Sequence, residues 1–222
     1  MTHWHNWLVL PCLIFAFACS ETTHDSAPEE LPTSTPVVET QAPNAQAGKA
    51  LLRRERVFDS LLKDTISAIQ VDMAMLDQLS EAEKAAVGFV STFVGSECEW
   101  DGDAQEDMSN LKCQVISGLG LGYQCSEQHL GFLRKWFAAD GPSLDQLENC
   151  PIIPNTATSF ESFDQLNLYT EADTIVVESK ISGVNMRLGE TWRYSQTDRF
   201  IRFEQSLEYY EQARTEVVKE QF

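Results

Sequence analysis

Apolar residues recur along this chain with two different periods, and the change of period divides it. Leu51, Phe58, Leu62, Ile66, Ile69, Met73 and Leu76 stand at steps of three, four and seven, the spacing that lines one face of a long helix. Ser80-Glu-Ala-Glu83 is a capping box, in which the Ser80 hydroxyl accepts from the Glu83 amide while the Glu83 side chain reaches back. It predicts a second helix that buries Val87, Phe89, Val90, Phe93 and Val94 and stops near Gly95, where glycine can take the left-handed cap conformation. Leu111 to Leu119 reads as a short helix ended by the breaker Gly118-Leu-Gly-Leu-Gly122. Ser126 can cap a further helix with Leu130, Leu133, Trp136 and Phe137 on one side, and Pro142-Ser143 restarts a short one over Leu144 to Asn149.

After Pro154 the period becomes two. Leu166, Leu168 and Thr170 alternate, as do Ile175, Val177, Ser179 and Ile181, and then Trp192, Tyr194 and Gln196. Alternation of β-branched and aromatic residues means strands, with turns at Glu171 to Thr174 and Gly183 to Gly189. Phe200 and Phe203 differ in parity, which predicts a bulge or a strand buried on both sides over Asp198 to Phe203. Leu207, Tyr209 and Tyr210 suggest a last strand before a frayed polar end. The order implies an α+β fold, with N-terminal helices packed on a C-terminal antiparallel sheet of about three to five strands.

The first 48 residues fit neither period. Trp7 to Ala18 is an apolar run of twelve. It is short of the roughly 17 residues that span a bilayer as a helix, and it suits the core of a signal peptide over residues 1–18. Residues 20–48 are rich in Thr, Pro, Ala, Glu and Gln, without Lys or Arg, so they have too little to bury and read as a disordered spacer. Residues 49–222 are then left as a single α+β globular domain. That stretch holds 29 acids and 16 bases, a net −13, and the whole chain carries −18. Such a charge argues against nucleic acid as a partner and for a solvated surface. Lys49, Arg53, Arg54 and Arg56 form a basic cluster next to the spacer, read as a solvated helix face or a contact to anionic lipid.

Candidate chemistry is sparse. Asp101-Gly-Asp103 lies in a loop dense in carboxylates, but Gly102, Glu106 and Lys112 do not fall where a calcium loop needs its glycine and ligands. The alternating glycines 118, 120 and 122 follow no strand, so they are not a dinucleotide fingerprint. His129 is the one histidine outside the leader and spacer and reads as a surface or cap residue of a helix's first turn. These readings call for no metal and no cofactor. Setting aside Cys12 in the leader and Cys19, four cysteines remain, without a Cys-x-x-Cys pair, which favours disulfides over zinc. Of three possible pairings, Cys98 with Cys113 would close the acidic loop, and Cys125 with Cys150 would join the two ends of a helical hairpin.

Ala16-Phe17-Ala18-Cys19-Ser20 resembles the lipobox of bacterial lipoproteins. The resemblance implies lipidation of Cys19 as the mature N-terminus, a membrane partner through that lipid, and residues 19–48 as tether, letting the domain roam roughly some tens of ångströms. With Ser20 and the acids that follow, the location expected is extracytoplasmic, at an outer membrane or cell surface. The whole chain looks like the uncharacterised lipoproteins of Bacteroidota-type bacteria. The C-terminal half, with its strand, Gly turn, aromatic strand and Asp198-x-Phe-x-x-Phe203, resembles the cone-shaped roll of the nuclear transport factor two-like superfamily. That resemblance implies a pocket between sheet and helices, with Tyr194, Asp198 and His129 as the positions available for proton chemistry. The expected function is a lipid-anchored binding or envelope-interaction protein, its partner an envelope protein or small ligand. The alternative is a small-molecule enzyme, an isomerase, dehydratase or hydrolase, using the cone-roll pocket.

Overall fold

The period-two stretch after Pro154 builds a meander of long antiparallel strands: β4 (Ser159–Glu171), β5 (Thr174–Asn185), β6 (Glu190–Arg202) and β7 (Leu207–Arg214). Two shorter strands complete a sheet of six. β1 (Lys49–Ala50) pairs with β4 on one edge, and β8 (Val218–Gln221) pairs with β6 beyond the end of β7. These coordinates are a computed structural model, which describes residues 48–98, 110–150 and 158–222. All of them fall in one compact unit, Ala42–Phe222. The leader, Cys19, the spacer through residue 47 and the acidic loop of residues 101–107 lie outside the described residues.

One face of the sheet is buried and carries the alternation read from the sequence. Leu166 and Leu168, then Ile175, Val177, Ser179 and Ile181, then Tyr194, Gln196, Asp198 and Phe200 all point inward. Phe163 also points inward although its parity is opposite to that of Leu166, because a bulge at Asp164 inserts one residue between them. The bulge expected within Asp198 to Phe203 is not on β6 but on its partner β7. Arg199 pairs with Glu211 and Phe200 with Tyr209, so the extra residue is Tyr210 on the partner strand. Phe203 lies past the end of β6 and is half exposed.

The helical layer is α2 (Glu81–Phe93), α3 (Leu111–Gly118), α4 (Glu127–Phe137) and α5 (Gly141–Asn149), after the single turn α1 (Met73–Leu76). The capping box forms as read, with Ser80 N–H donating to Glu83 at 2.8 Å and Glu83 N–H donating to the Ser80 hydroxyl at 3.3 Å. Glu83 also accepts from Lys49 Nζ at 2.7 Å and the Thr170 hydroxyl at 3.2 Å, which ties the start of α2 to β1 and β4. Burial pushes its carboxyl up, but the bonds from Lys49 and Ser80 outweigh that and hold it below the usual range. Phe89 of α2 is the centre of the core: its ring lies 4.7 Å from Phe137, 5.7 Å from Phe200 and 5.2 Å from Tyr209.

Two disulfides staple this layer, Cys98 to Cys113 and Cys125 to Cys150, with Cα separations of 5.8 and 6.2 Å. Both expected pairings are the ones present. Such bonds belong to an oxidising, non-cytoplasmic compartment. Among the described residues no helix is long and apolar enough to cross a membrane.

The long first helix is not there. Residues 52–71 form a two-stranded sheet of β2 (Leu52–Asp59) and β3 (Asp64–Val71), paired from Leu52↔Val71 to Asp59↔Asp64. The Asp59 carboxylate accepts from the amides of Leu61 and Leu62 at 2.8 and 3.0 Å, a local turn that competes with helix, and Lys63 takes a φ of 53°. Thr65, Ile66, Ile69 and Val71 are β-branched and favour the strand that follows. Among the described residues strands therefore precede the helices, which occupy the middle of the chain, and the sheet has six strands rather than three to five. Gly183 lies within β5, the turn being residues 186–189, and the expected frayed end folds back as β8.

Candidate functional site

Polar residues on an inward sheet face are the feature that asks for explanation, since unpaired buried polar groups cost about 1–3 kcal/mol each. They form a chain of bonds across the sheet. At one end Glu161 of β4, nearly fully buried, accepts from Trp192 Nε1 at 2.7 Å, from the Tyr194 hydroxyl at 3.2 Å and from Gly95 N–H at 3.1 Å. Register explains the first of these bonds. Glu161, Gly183 and Trp192 stand opposite one another on β4, β5 and β6, and the Trp192 ring crosses the space where a Gly183 Cβ would be.

At the other end is Asp198, whose carboxylate accepts from Gln196 Nε2 at 2.8 Å, the Tyr209 hydroxyl at 2.8 Å and Gln212 Nε2 at 3.2 Å. Arg214 donates twice to Gln196 Oε1, at 3.0 and 2.6 Å, and its guanidinium carbon lies 4.6 Å from the centre of the Tyr194 ring. Thus Tyr194 and Asp198 do share a face, joined through Gln196 and Arg214. Ser179, opposite Gln196 in the register, has a buried hydroxyl without a partner among the described residues.

Electrostatics sort these groups by what they can do. Burial raises the Tyr194 phenol well above its ordinary value and Glu161 adds to the rise; burial and then Asp198 do the same to Tyr209. Both tyrosines are donors, not nucleophiles. Burial also raises the Asp198 carboxyl, against the bonds from Gln196, Tyr209 and Gln212 and the charge of Arg214. Three donors take up most of its roughly four acceptor sites. The stripe meets solvent at Gln212 and Arg214, both exposed.

His129 is elsewhere and is not a surface residue. It is fully buried where α2 and α4 meet, with Nδ1 accepting from Cys125 N–H at 3.1 Å, which assigns the proton to Nε2. Nε2 faces the Thr92 hydroxyl at 3.5 Å and bonds to the Gly88 backbone. Burial lowers its pKa to about 4, and the Lys112 charge acts in the same direction. Lys112 is itself fully buried and donates to the Gly95 carbonyl at 3.0 Å. Among the described residues no three His, Cys, Asp or Glu side chains gather as a metal ion requires. Cys19 lies outside the described residues.

Two surface features lie apart from this stripe. A half-open groove of about 550 Å³ runs over the outer sheet face, lined by residues that include Ser162, Asp164, Ser182, Thr191 and Arg193. The β2–β3 hairpin exposes Phe58, Leu61 and Leu62 near its turn.

Comparison with protein-family models, with curated proteins and with solved structures finds no match. The site is therefore read from its residues.

Glu161, Gln196, Tyr209 and Arg214 were missed in the sequence reading. Period two through Tyr194, Gln196 and Asp198 does mark a polar run facing inward, so Gln196 was legible. Arg199, two-thirds buried at its side chain and pairing with Glu211 at 2.9 Å, shows that Asp198 is not the surface ion-pair partner its sequence neighbours suggest.

Proposed function

We propose that this chain is a lipid-anchored extracytoplasmic binding or envelope-interaction protein, held to a bacterial outer membrane or cell surface through Cys19, with residues 20–48 as its spacer. The observation that carries the binding half of this reading is the closed bonding on the inner face. Asp198, Glu161, Tyr194 and Tyr209 hold one another, so the polar groups that would do proton chemistry are committed to the fold. Two disulfides support an extracytoplasmic site of work.

The test has two parts. Wild-type protein should stay with envelopes through a high-salt wash and Cys19→Ala should not; a Cys19→Ala chain that survives the wash refutes the anchor. Crosslinking in intact envelopes should then recover a specific complex, and recovery of the chain alone refutes the envelope-interaction role.

A second reading, the small-molecule enzyme of cone-roll type, is favoured by the raised Asp198 carboxyl beside two tyrosines and an exposed arginine. The enzyme reading requires turnover that disappears in Asp198→Asn while the variant stays folded.

A further inference from the structure

In an acidic protein, residues 53–64 carry a slight excess of bases. They carry Arg53, Arg54, Arg56 and Lys63 against Glu55, Asp59 and Asp64, a net +1 in a folded region of net −13. The structure places this segment on the β2–β3 hairpin, whose root is buried at Leu52 and Val71 and whose far end is open. There Phe58 is 65%, Leu61 91% and Leu62 68% exposed.

Register puts Arg54, Arg56 and Phe58 on one face of the hairpin, opposite Ile69, Ser67 and Thr65. Arg53 pairs with Glu55 at 3.1 Å, whereas Arg54, Arg56 and Lys63 have no ion-pair partner among the described residues. Asp59 and Asp64 turn their carboxylates onto backbone amides of the turn, at 2.7 to 3.0 Å. A tip with three open apolar side chains and unpaired cations behind it is how a segment meets a lipid interface: carbon enters the acyl boundary and cations stay with phosphates.

We propose that the β2–β3 hairpin is a contact arm for an anionic lipid surface, with Phe58, Leu61 and Leu62 entering the interface and Arg54, Arg56 and Lys63 lying among the headgroup phosphates. The proposal rests on the anchored reading for the nearness of a membrane: the hairpin begins only four residues after the spacer ends at residue 48. The acidic body does not forbid the contact. Eight residues at roughly 3.3 Å each make the arm about 26 Å long, so its tip and Lys63 stand some three Debye lengths of about 8 Å from the root and the body's charge is largely screened there, whereas Arg54, two residues from Leu52, stands within about one.

Vesicle sedimentation tests it, using the chain from Ser20 onward, which lacks leader and lipid but keeps the whole compact unit Ala42–Phe222. The chain should bind phosphatidylcholine vesicles that contain phosphatidylglycerol, bind pure phosphatidylcholine less, and release as salt rises. Each of Arg54→Ala, Arg56→Ala and Lys63→Ala should weaken binding to the anionic vesicles roughly fivefold. Leu61→Ser with Leu62→Ser should weaken it at least about tenfold. These positions are exposed, so unchanged unfolding midpoints will show that the variants fold.

Equal binding by parent and variants, or no binding to anionic vesicles, overturns the proposal; an arm that instead holds an acidic protein gives the second result. Failure of the anchor is separate. If native protein is membrane-bound through Cys19 but the unlipidated chain ignores vesicles, the arm fails and the anchor stands. If unlipidated chain binds vesicles and Cys19→Ala survives a high-salt wash of the envelopes as wild type does, the reverse holds.

Discussion

His129 is built to stay neutral, and that makes a prediction about acid stability. Its ring is fully buried between α2 and α4, Nδ1 is occupied by the Cys125 amide, and its pKa falls from 6.5 to about 4. In the unfolded chain the imidazole titrates near its ordinary value. As the pH falls below about 6.5 the unfolded state takes up a proton that the native state refuses, so stability declines. The decline continues to about pH 4, where native His129 protonates as well. At about 1.4 kcal/mol per pH unit, the total comes to about 3 kcal/mol.

Urea unfolding between pH 7 and pH 4 measures this, run on the wild type and on His129→Gln, which keeps an acceptor for the Cys125 amide and cannot titrate. Other groups move in the same range. Glu83, with its lowered carboxyl, loses stabilisation as the pH falls through its native pKa. Asp198, with its raised one, contributes stability at low pH that is lost as the pH rises. Both are common to parent and variant, so the difference between the two curves isolates the histidine. Wild type should lose about 3 kcal/mol more than the variant across the window. Parallel curves would refute the reasoning, as would a His129 imidazole that NMR finds charged in the native state at pH 5.5.

Gly183→Ala should destabilise by about 1–3 kcal/mol in denaturant, because its Cβ meets the Trp192 ring, and adding Trp192→Ala should recover part of the loss; simple additivity would show that the ring does not lie over Gly183. Removing either disulfide, which join residues 15 and 25 apart, should cost about 3 kcal/mol, and non-reduced peptide mapping should find Cys98 linked to Cys113 alone.

The C-terminal half was legible because burial on one face imposes period two on the sequence, and Ile175, Val177 and Ile181 have no other way to share a core. Helix starts were legible where a cap writes its own signature, as at Ser80 and Ser126. The first helix failed for an equally physical reason. Spacing by three and four can arise in a hairpin whose turn and strand faces mix, and at Phe58 and Leu62 the residues that set the period are exposed rather than buried. The signal against helix was present in Asp59-Ser-Leu-Leu-Lys-Asp64, a turn followed by a β-branched strand. His129 escaped because nothing local distinguishes a buried first-turn histidine from an exposed one: what covers its Nε2 comes from α2, some 37 residues away in sequence at Thr92.

The bulge at Tyr210 explains why a buried carboxylate persists on β6. Without the extra residue, continued alternation from Leu207 and Tyr209 would turn Glu211 and Ala213 inward, setting a second acid against Asp198. With it, Gln212 and Arg214 turn inward instead: one donates to Asp198 and the other to Gln196, while Glu211 faces out to Arg199. A one-residue shift thus exchanges like-charge repulsion for donors. The same step brings the guanidinium of Arg214 over Tyr194. The polar stripe therefore depends on backbone register as much as on residue identity, and a substitution that abolished the bulge would take Gln212 from Asp198 and Arg214 from Gln196 without touching Asp198 itself.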